Sequence, residues 1–268
     1  MARVRITTTL LFCLLTAVST SAGTANLFVI TKDPQAISIA QSALAAMGGA
    51  SALLSYQDSE ASGTFTVYAT NPAVSYPITL KCKGMRETRV ELQLPKGTNV
   101  RIVNTGRGVI ERPDGTVRHL TMNNTIAERV NHIPRLSILN EYLNSNISVQ
   151  YQGTAQVNGR KTSVVAVRYV PTTDPSQGPI FAAMTQSVFY VDQSSGLIDK
   201  IQYSKYDENN SNNTQKVEVY FGNYQTVNGI SVPFHQTTYT DGSLDSDLNL
   251  KSVAFNVGLS DSEFTVPQ

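Results

Sequence analysis

Apolar and polar residues alternate with a period of two through most of the chain after residue 62. Between residues 63 and 69, for example, Phe65 and Val67 alternate with threonine and tyrosine. Because successive side chains of a strand point to opposite faces of a sheet, this pattern predicts half-buried strands. About a dozen such runs occur, at residues 63–69, 78–83, 88–94, 99–104, 108–112, 116–120, 147–156, 163–170, 187–192, 197–206, 216–224, 231–241 and 248–257.

Short turn sequences join most of these runs. Pro-Asp-Gly occupies residues 113–115, and Asn-Gly or Asp-Gly pairs occupy 158–159, 228–229 and 241–242. Such pairs supply the positive φ angles that tight hairpins need. The connections therefore predict an antiparallel meander, since parallel strands would need long crossovers.

A helical period occurs in two places only. In the first, Asp33 is a natural N-cap, Pro34 suits the first helical position, and Gly48-Gly49 ends the helix, with a short second turn over residues 50–54. Its expected apolar stripe consists of Ile37, Ala40, Leu44 and Met47. In the second place, residues 123–130 and 135–143 predict two helices separated by Ile133-Pro134.

So many hairpin-linked strands must curl to protect their edges, and only residues 34–54 and 123–143 are available to cover a face. We therefore expect a mainly antiparallel β fold with a few helices, in which a strongly curved sheet holds the helices on its concave side. No internal repeat and no linker divides the chain. Residues 26–268 are expected to form a single domain.

The first 25 residues are typical of a secretory signal peptide. Arg3 and Arg5 precede an apolar stretch that is short for a membrane span, and small residues follow, with cleavage expected after Ala22 or Ala25. This predicts a periplasmic or secreted protein. Since Cys13 lies in the signal, Cys82 is the only thiol left after cleavage, and we expect it to be a buried structural residue.

Composition and charge argue against nucleic-acid binding. Charged residues make up 15% of the 268 residues, against roughly 25% in an average soluble domain. Lysine and arginine number 21 against 20 acidic residues, so the basic excess of a nucleic-acid-binding protein is missing. Nucleic acid is therefore not an expected partner.

No motif for catalysis or metal binding is present. His119, His132 and His235 lack the spacing of a zinc site, and no Gly-x-Ser-x-Gly sequence occurs. The acidic stretch at residues 241–247 does not match a calcium loop. We expect no catalytic residues, no metal and no cofactor, and hence a protein that is not an enzyme.

Three segments resemble those of a known superfamily. They are ALAAMGGASALLSY at residues 43–56, FGNYQTVNGISVPFHQ at 221–236 and VAFNVGLSDSEFTVP at 253–267. In this order they are similar to the LolA-like proteins, which include the periplasmic outer-membrane lipoprotein-sorting proteins and mycobacterial lipoproteins. The resemblance implies an unclosed β-barrel with helices on its concave face, around an apolar cavity that receives acyl chains.

The chain departs from the sorting proteins in its length and in its Asn-rich stretch at residues 207–214. Those proteins use an arginine in opening and closing, and the sequence does not single out a counterpart among Arg101, Arg107, Arg112 and Arg118. The resemblance therefore favours binding of a lipid or other hydrophobic ligand in general over delivery of lipoproteins in particular.

The leading hypothesis is an exported, non-enzymatic carrier of a lipid, an acylated protein or another hydrophobic ligand. Inward-facing strand residues would line its half-barrel cavity, with Leu136 and Leu139 as a movable cover. The expected lining residues are Phe65, Val67, Val165, Val167, Val219 and Phe221. A register shift of one residue would move the side chains of a strand to the opposite face of the sheet. For each of these residues, ordinary packing in a filled core is the alternative interpretation.

The expected partners are a lipid or acyl-chain ligand and, further, a lipoprotein or membrane-associated acceptor, with the carrier itself a monomer. Two other classes stay open. The same fold with a filled core would be a structural or protein-interaction module of the cell envelope. An envelope hydrolase is the least favoured class.

Overall fold

Thirteen strands form one antiparallel sheet in the computed structural model, which describes residues 29–134, 136, 138–171 and 175–267. The strands are β1 (Asp58–Val67), β2 (Val74–Lys83), β3 (Glu87–Leu94), β4 (Gly97–Asn104), β5 (Arg107–Glu111), β6 (Val117–His119), β7 (Ile147–Val157), β8 (Arg160–Tyr169), β9 (Ser187–Asp192), β10 (Ile198–Tyr206), β11 (Thr214–Val227), β12 (Ile230–Thr240) and β13 (Ser243–Phe255). The antiparallel meander is thereby confirmed. The predicted signal peptide at residues 1–25 lies outside the described residues.

The strand order is β6-β5-β4-β3-β2-β1-β13-β12-β11-β10-β9-β8-β7. Two meanders, β1 to β6 and β7 to β13, are joined because β1 pairs with β13. Strands β6 and β7 are consecutive in the chain but lie at opposite edges of the sheet. The connection between them, residues 120–146, must therefore cross the sheet.

The sheet is strongly curved. Arg118 on edge strand β6 contacts the carboxylate of Glu208, just after β10, at 2.5 Å, although eight strands lie between β6 and β10. In a flat sheet with about 4.8 Å per strand, the two strands would be roughly 40 Å apart. The unclosed, strongly curved barrel is therefore confirmed.

Within the described residues, four α-helices accompany the sheet: α1 (Pro34–Ala46), α2 (Gly49–Ser55), α3 (Met122–Ala127) and α4 (Gly178–Thr185). The predicted cap of α1 is present, since Asp33 Oδ1 accepts hydrogen bonds from the amides of Gln35 and Ala36 at 2.8 and 3.2 Å. The predicted stripe was partly wrong: its fully buried positions are Ala36, Ala40, Ala43 and Met47, whereas Ile37 and Leu44 are half-buried. Three alanines let the helix approach the sheet closely.

The predicted helix at residues 135–143 was wrong over the described residues, where only a 3-10 turn, Leu139–Glu141, forms. Contacts with the sheet hold the preceding backbone. The amide of Ile133 donates to Cys82 Sγ at 3.3 Å, and its carbonyl accepts from Ser59 Oγ at 3.2 Å. Leu136, Ile138 and Leu139 are all buried, a spacing that no single helical face provides. Packing thus overrides the local helical pattern.

Helix α4 was not predicted. Its signal was nevertheless present: Pro179 stands at the start, and an apolar run follows at residues 180–184. Thr185 at its end accepts a hydrogen bond from the amide of Tyr169 at 3.0 Å, which fixes the helix against β8.

The inner face of the sheet is filled unevenly. Helix α1 packs on β7 and β8, and its alanines join a continuous core with strands β7 to β11 and the turn after Ile138. A second cluster joins α2 to strands β1, β2, β12 and β13. On the outer face, Val100, Ile102 and Val109 contact Val266 of the C-terminal segment. The first core is dense, and open space is left elsewhere.

No single helix within the described part of the chain has the length and apolarity to cross a membrane. The bent pair formed by α1 and α2, which meet at 63°, passes this test only when the two are taken together. Ala36, Ala40 and Ala43 of this pair are buried against the sheet, as expected for helices of a protein core.

A substitution at Gly63 tests the close approach of β1 and β13, where the pairing register shifts. A Cβ at Gly63 would overlap the carbonyl oxygen of Asn249 and lie 2.9 Å from Leu250 Cα. We expect Gly63→Ala to lower the free energy of unfolding by about 1–3 kcal/mol in chemical denaturation. The matched control is Gly222→Ala, whose Cβ would meet nothing closer than His235 Nδ1 at 3.8 Å. Equal effects at the two sites would contradict the close approach.

Candidate ligand chamber

A chamber of about 240 Å³ lies on the inner face of the sheet. Its volume is just below the roughly 300–1,000 Å³ of typical ligand pockets. The apolar part of its wall comes from strands β1, β2, β3, β11 and β13, and consists of Phe65, Ile78, Leu80, Val90, Leu92, Val219 and Leu248. The other part of the wall is polar and includes Asn99, Arg101, Tyr203, Lys205, Glu208, Gln236, Thr238, Asp245 and Ser246.

The connection between β6 and β7 forms the roof of the chamber. Roof residues Asn124, Ala127, Glu128, Val130 and Asn131 line it. The roof is pinned to β10, since the amide of Tyr206 donates to the side-chain oxygens of Asn123 and Asn124 at 2.6 and 2.9 Å. The chamber therefore exists because one segment must cross the sheet, and it crosses without filling the space under β1 to β4.

The structure places the eight predicted cavity residues in different surroundings. Phe65 and Val219 line the chamber. Val165, Val167 and Phe221 belong to the dense core around α1, as does the expected cover residue Leu139. Leu136 is 2% exposed. Val67 is half-buried, and it lies outside the chamber lining.

Several lining residues were missed by the sequence analysis, among them Ile78, Leu80, Val90 and Leu92. All four follow the period-two pattern in predicted strands, so the signal for an inward face was present. The pattern alone could not show which strands would be covered by α1 and which would stay open.

Four charged side chains at one end of the chamber form an ionic cluster, made of Arg101, Arg118, Glu128 and Glu208. Arg101 Nη1 lies 2.8 Å from Glu128 Oε1 and 2.8 Å from Glu208 Oε1. Arg118 binds the other oxygen of Glu208 and also donates to its backbone carbonyl. The cluster ties β4 and β6 to the roof and to the loop after β10, and it singles out Arg101 where the sequence did not.

The cluster stabilises its own charges. Burial disfavours the charged form of Arg101, but Glu128 and Glu208 outweigh it and raise the pKa of Arg101 above its usual value. Burial likewise opposes ionisation of Glu208, but Arg101 holds the pKa of this carboxyl below its usual value. Arg101 and Glu208 therefore stabilise each other's charged form.

An open groove of about 650 Å³ lies beside the chamber. Its lining consists of Tyr76, Leu94, Pro95, Lys96, Arg112, Pro113 and Asp114. Tyr76 and Leu94 each stand two residues along a strand from the chamber residues Ile78 and Leu92. Because side chains two apart share a face, the groove continues the inner face toward the tips of the hairpins.

The chamber offers little catalytic chemistry. Its lining includes neither histidine nor cysteine, and its two glutamates are engaged by arginines. Nowhere in the described part of the chain do three His, Cys, Asp or Glu side chains group as a metal site. His235 lies 3.4 Å from Asp247, away from the chamber lining. The arrangement is suited to binding by shape and apolar contact.

Solved structures identify the architecture. A DUF1329 family protein from Desulfovibrio piger superposes with a TM-score of 0.58 at 12% identity, covering 88% of this chain and 98% of that chain. A LolA superfamily protein from Nitrosomonas europaea gives 0.56 at 12% identity, covering 85% and 97%. The chain has the LolA-like fold.

A third structure, from Vibrio parahaemolyticus and described as an outer membrane lipoprotein-sorting protein domain, gives a TM-score of 0.54 at 15% identity, with 85% of this chain and 95% of that chain covered. No protein-family model matches the chain, and no curated protein matches it by sequence. The resemblance found in the sequence is thus confirmed at the level of the fold.

The ionic cluster predicts a specific effect of Arg101→Met. The change leaves Glu128 and Glu208 with less compensation, so we expect a loss of about 1–3 kcal/mol in the free energy of unfolding, discounted for partial exposure. Hydrogen exchange should rise in residues 122–131 and 207–213. The control is Arg112→Met, on the same strand face but without an ion pair, with an expected change within about 0.5 kcal/mol. Unchanged exchange in Arg101→Met would show that the cluster does not hold the roof.

Acid should loosen the roof through Glu208. Because the pKa of Glu208 is lower in the folded state than its ordinary value of 4.5, its stabilising contribution is present above pH 4.5 and is lost as the pH falls through the lowered value. Hydrogen exchange in the roof, followed between neutral and acidic pH, should increase in that window. Glu208→Gln should have a loosened roof already at neutral pH and a flatter pH dependence. A wild-type profile matching that of the variant would contradict this role.

Proposed function

We propose that this protein is an exported, non-enzymatic carrier or binding protein for a lipid, an acylated protein or another hydrophobic ligand. The observation that carries the proposal is the chamber under the roof, together with an open groove on the same face of the sheet. The proposal includes residues 1–25 as a cleaved signal peptide, residues 26–268 as a single domain, and a periplasmic or secreted location.

The apolar wall supplies the binding energy. Each methylene removed from water contributes about 0.8 kcal/mol, so a chain segment against Ile78, Leu80 and Leu92 needs no directed contact to bind. The chamber alone is small, and longer chains would extend into the groove. The polar wall near Arg101 would limit how deeply an acyl chain enters.

The roof would govern access. It is held by the ionic cluster and by the hydrogen bonds from Tyr206 to the buried side chains of Asn123 and Asn124, all of which are polar contacts. Opening of the roof would also move Val130, a roof residue that packs in the dense core around α1. Loading and release would thus involve the roof, while Leu136 and Leu139, buried in the present state, would stay with the core.

The fold adds support for an acylated cargo. The Vibrio parahaemolyticus domain with this architecture is assigned to lipoprotein sorting, and a lipoprotein or membrane-associated acceptor would be a natural partner for this chain. The carrier would act as a monomer, since its inner face is covered by its own helices.

A filled structural or interaction module is the second candidate. It is favoured by the dense packing of α1 on strands β7 to β11, where Val165, Val167 and Phe189 are fully buried. An envelope hydrolase has less support, because the chamber lining holds no histidine or cysteine.

A blocking substitution separates the first two candidates. Leu92 is half-buried in the chamber wall, so Leu92→Trp should fill the space while preserving the fold. We expect the wild-type protein to take up a fluorescent acyl probe and the variant to bind it at least tenfold more weakly. Leu54→Trp, at a residue 84% exposed on α2, is the matched control and should bind like the wild type.

Native mass spectrometry after mild purification provides an independent measurement. The carrier should retain lipid, and Leu92→Trp should not. A wild-type protein with a clean ligand-free mass and no probe uptake would leave the structural module as the better account.

A further inference from the structure

The groove beside the chamber combines an apolar floor with basic residues. Tyr76, Leu94 and the two prolines Pro95 and Pro113 provide the floor. The hairpin tips that border it touch each other, since a Cβ at Gly97 would lie 3.2 Å from Pro113 Cβ. The position of Lys96 is thereby fixed near the turn that follows β5.

Basic residues are concentrated on this end of the inner face. In the strand register, Ile110 of β5 lies opposite Arg101 of β4 on one side and Arg118 of β6 on the other. Arg112 follows two residues after Ile110 and so shares their face. Arg101 and Arg118 are neutralised by Glu128 and Glu208. Lys96 and Arg112 are different: neither side chain forms an ion pair or donates a hydrogen bond to any described residue, although the charge of Arg112 helps to lower the pKa of the nearby Asp114.

The one acidic residue of the groove does not compensate both cations. Asp114 Oδ1 accepts hydrogen bonds from the amide and the hydroxyl of Thr116 at 2.9 and 2.7 Å, so this carboxylate serves the turn. The groove is left with two cations against one engaged carboxylate, next to an apolar floor. This combination complements a group that is anionic at one end and apolar at the other.

We propose that the groove recognises an anionic head group, so that the ligand is an acidic amphiphile with its chain in the chamber and its carboxylate or phosphate between Lys96 and Arg112. This rests on the proposed carrier function and deepens it by naming the ligand class. The two cations give charge-assisted hydrogen bonds to the head group, while the chain is held by apolar burial. Because both cations are exposed, the preference for an anion weakens as salt increases.

Three ligands with the same chain test the head group: hexadecanoate, hexadecyl phosphate and hexadecanol. Their affinities are measured by displacement of a fluorescent long-chain alcohol at low and high ionic strength. We expect the two anions to bind the wild-type protein at least tenfold more tightly than the alcohol at low salt, and less so at high salt. The ratio between the two anions identifies whether a carboxylate or a phosphate is preferred.

The double variant Lys96→Gln/Arg112→Gln should lose the preference for anions and keep the affinity for hexadecanol. The matched control, Arg107→Gln/Lys251→Gln, removes the same charge from exposed positions outside the groove and should keep the preference. Inorganic phosphate alone should not displace the probe at concentrations where hexadecyl phosphate does.

Three results would overturn the inference: equal binding of anions and alcohol by the wild type, a preference that survives in the double variant, or displacement by inorganic phosphate as effective as by hexadecyl phosphate. These differ from failure of the carrier function. Binding of hexadecanol without any preference would leave the carrier proposal standing, whereas binding of none of the three ligands would overturn both.

Discussion

The pairing of β1 with β13 is the constraint on which the rest of the structure depends. It joins two meanders into one sheet and places β6 and β7, which are neighbours in the chain, at opposite edges. The connection between them has to cross the inner face, and it becomes the roof of the chamber. The roof and the chamber are therefore consequences of one strand pairing.

Charge and packing divide the inner face between two tasks. Under α1 the face is apolar and densely packed, because Ala36, Ala40 and Ala43 let the helix lie close to the sheet. Under the roof the contacts are ionic and amide-mediated, with Arg101 between Glu128 and Glu208. Burial of apolar surface supplies most of the stability of a fold, so the dense half can stabilise the protein while the polar half is free to change. A carrier needs this separation of a rigid scaffold from a movable cover.

The ionic cluster also links the cover to the proposed ligand class. Arg101 lines the chamber, and both Arg101 and Arg118 are neutralised by glutamates. Lys96 and Arg112, on the same end of the face, have no ion-pair partner among the described residues. A head group held by the second pair would leave the first pair intact, so that binding of the anion would not require the roof to open. Entry of the chain into the chamber is then the step that disturbs the roof.

The sequence by itself determined the strands, the hairpin turns, the Asp33 cap and the antiparallel meander, because these follow from local periodicity and turn chemistry. It also carried the resemblance to the LolA-like fold. Only the tertiary structure decided which inward residues line open space: Phe65 lines the chamber, Val219 lies between the chamber and the dense core, and Val165 and Phe221 lie within that core. Over the described residues of 135–143, tertiary packing also replaced the expected helix with the turn Leu139–Glu141. Tertiary contacts brought Arg101 to Glu128 and Glu208 from distant segments. Alternation shows that a side chain faces inward, but whether that space is filled depends on helices and loops placed there by the strand order of the whole sheet.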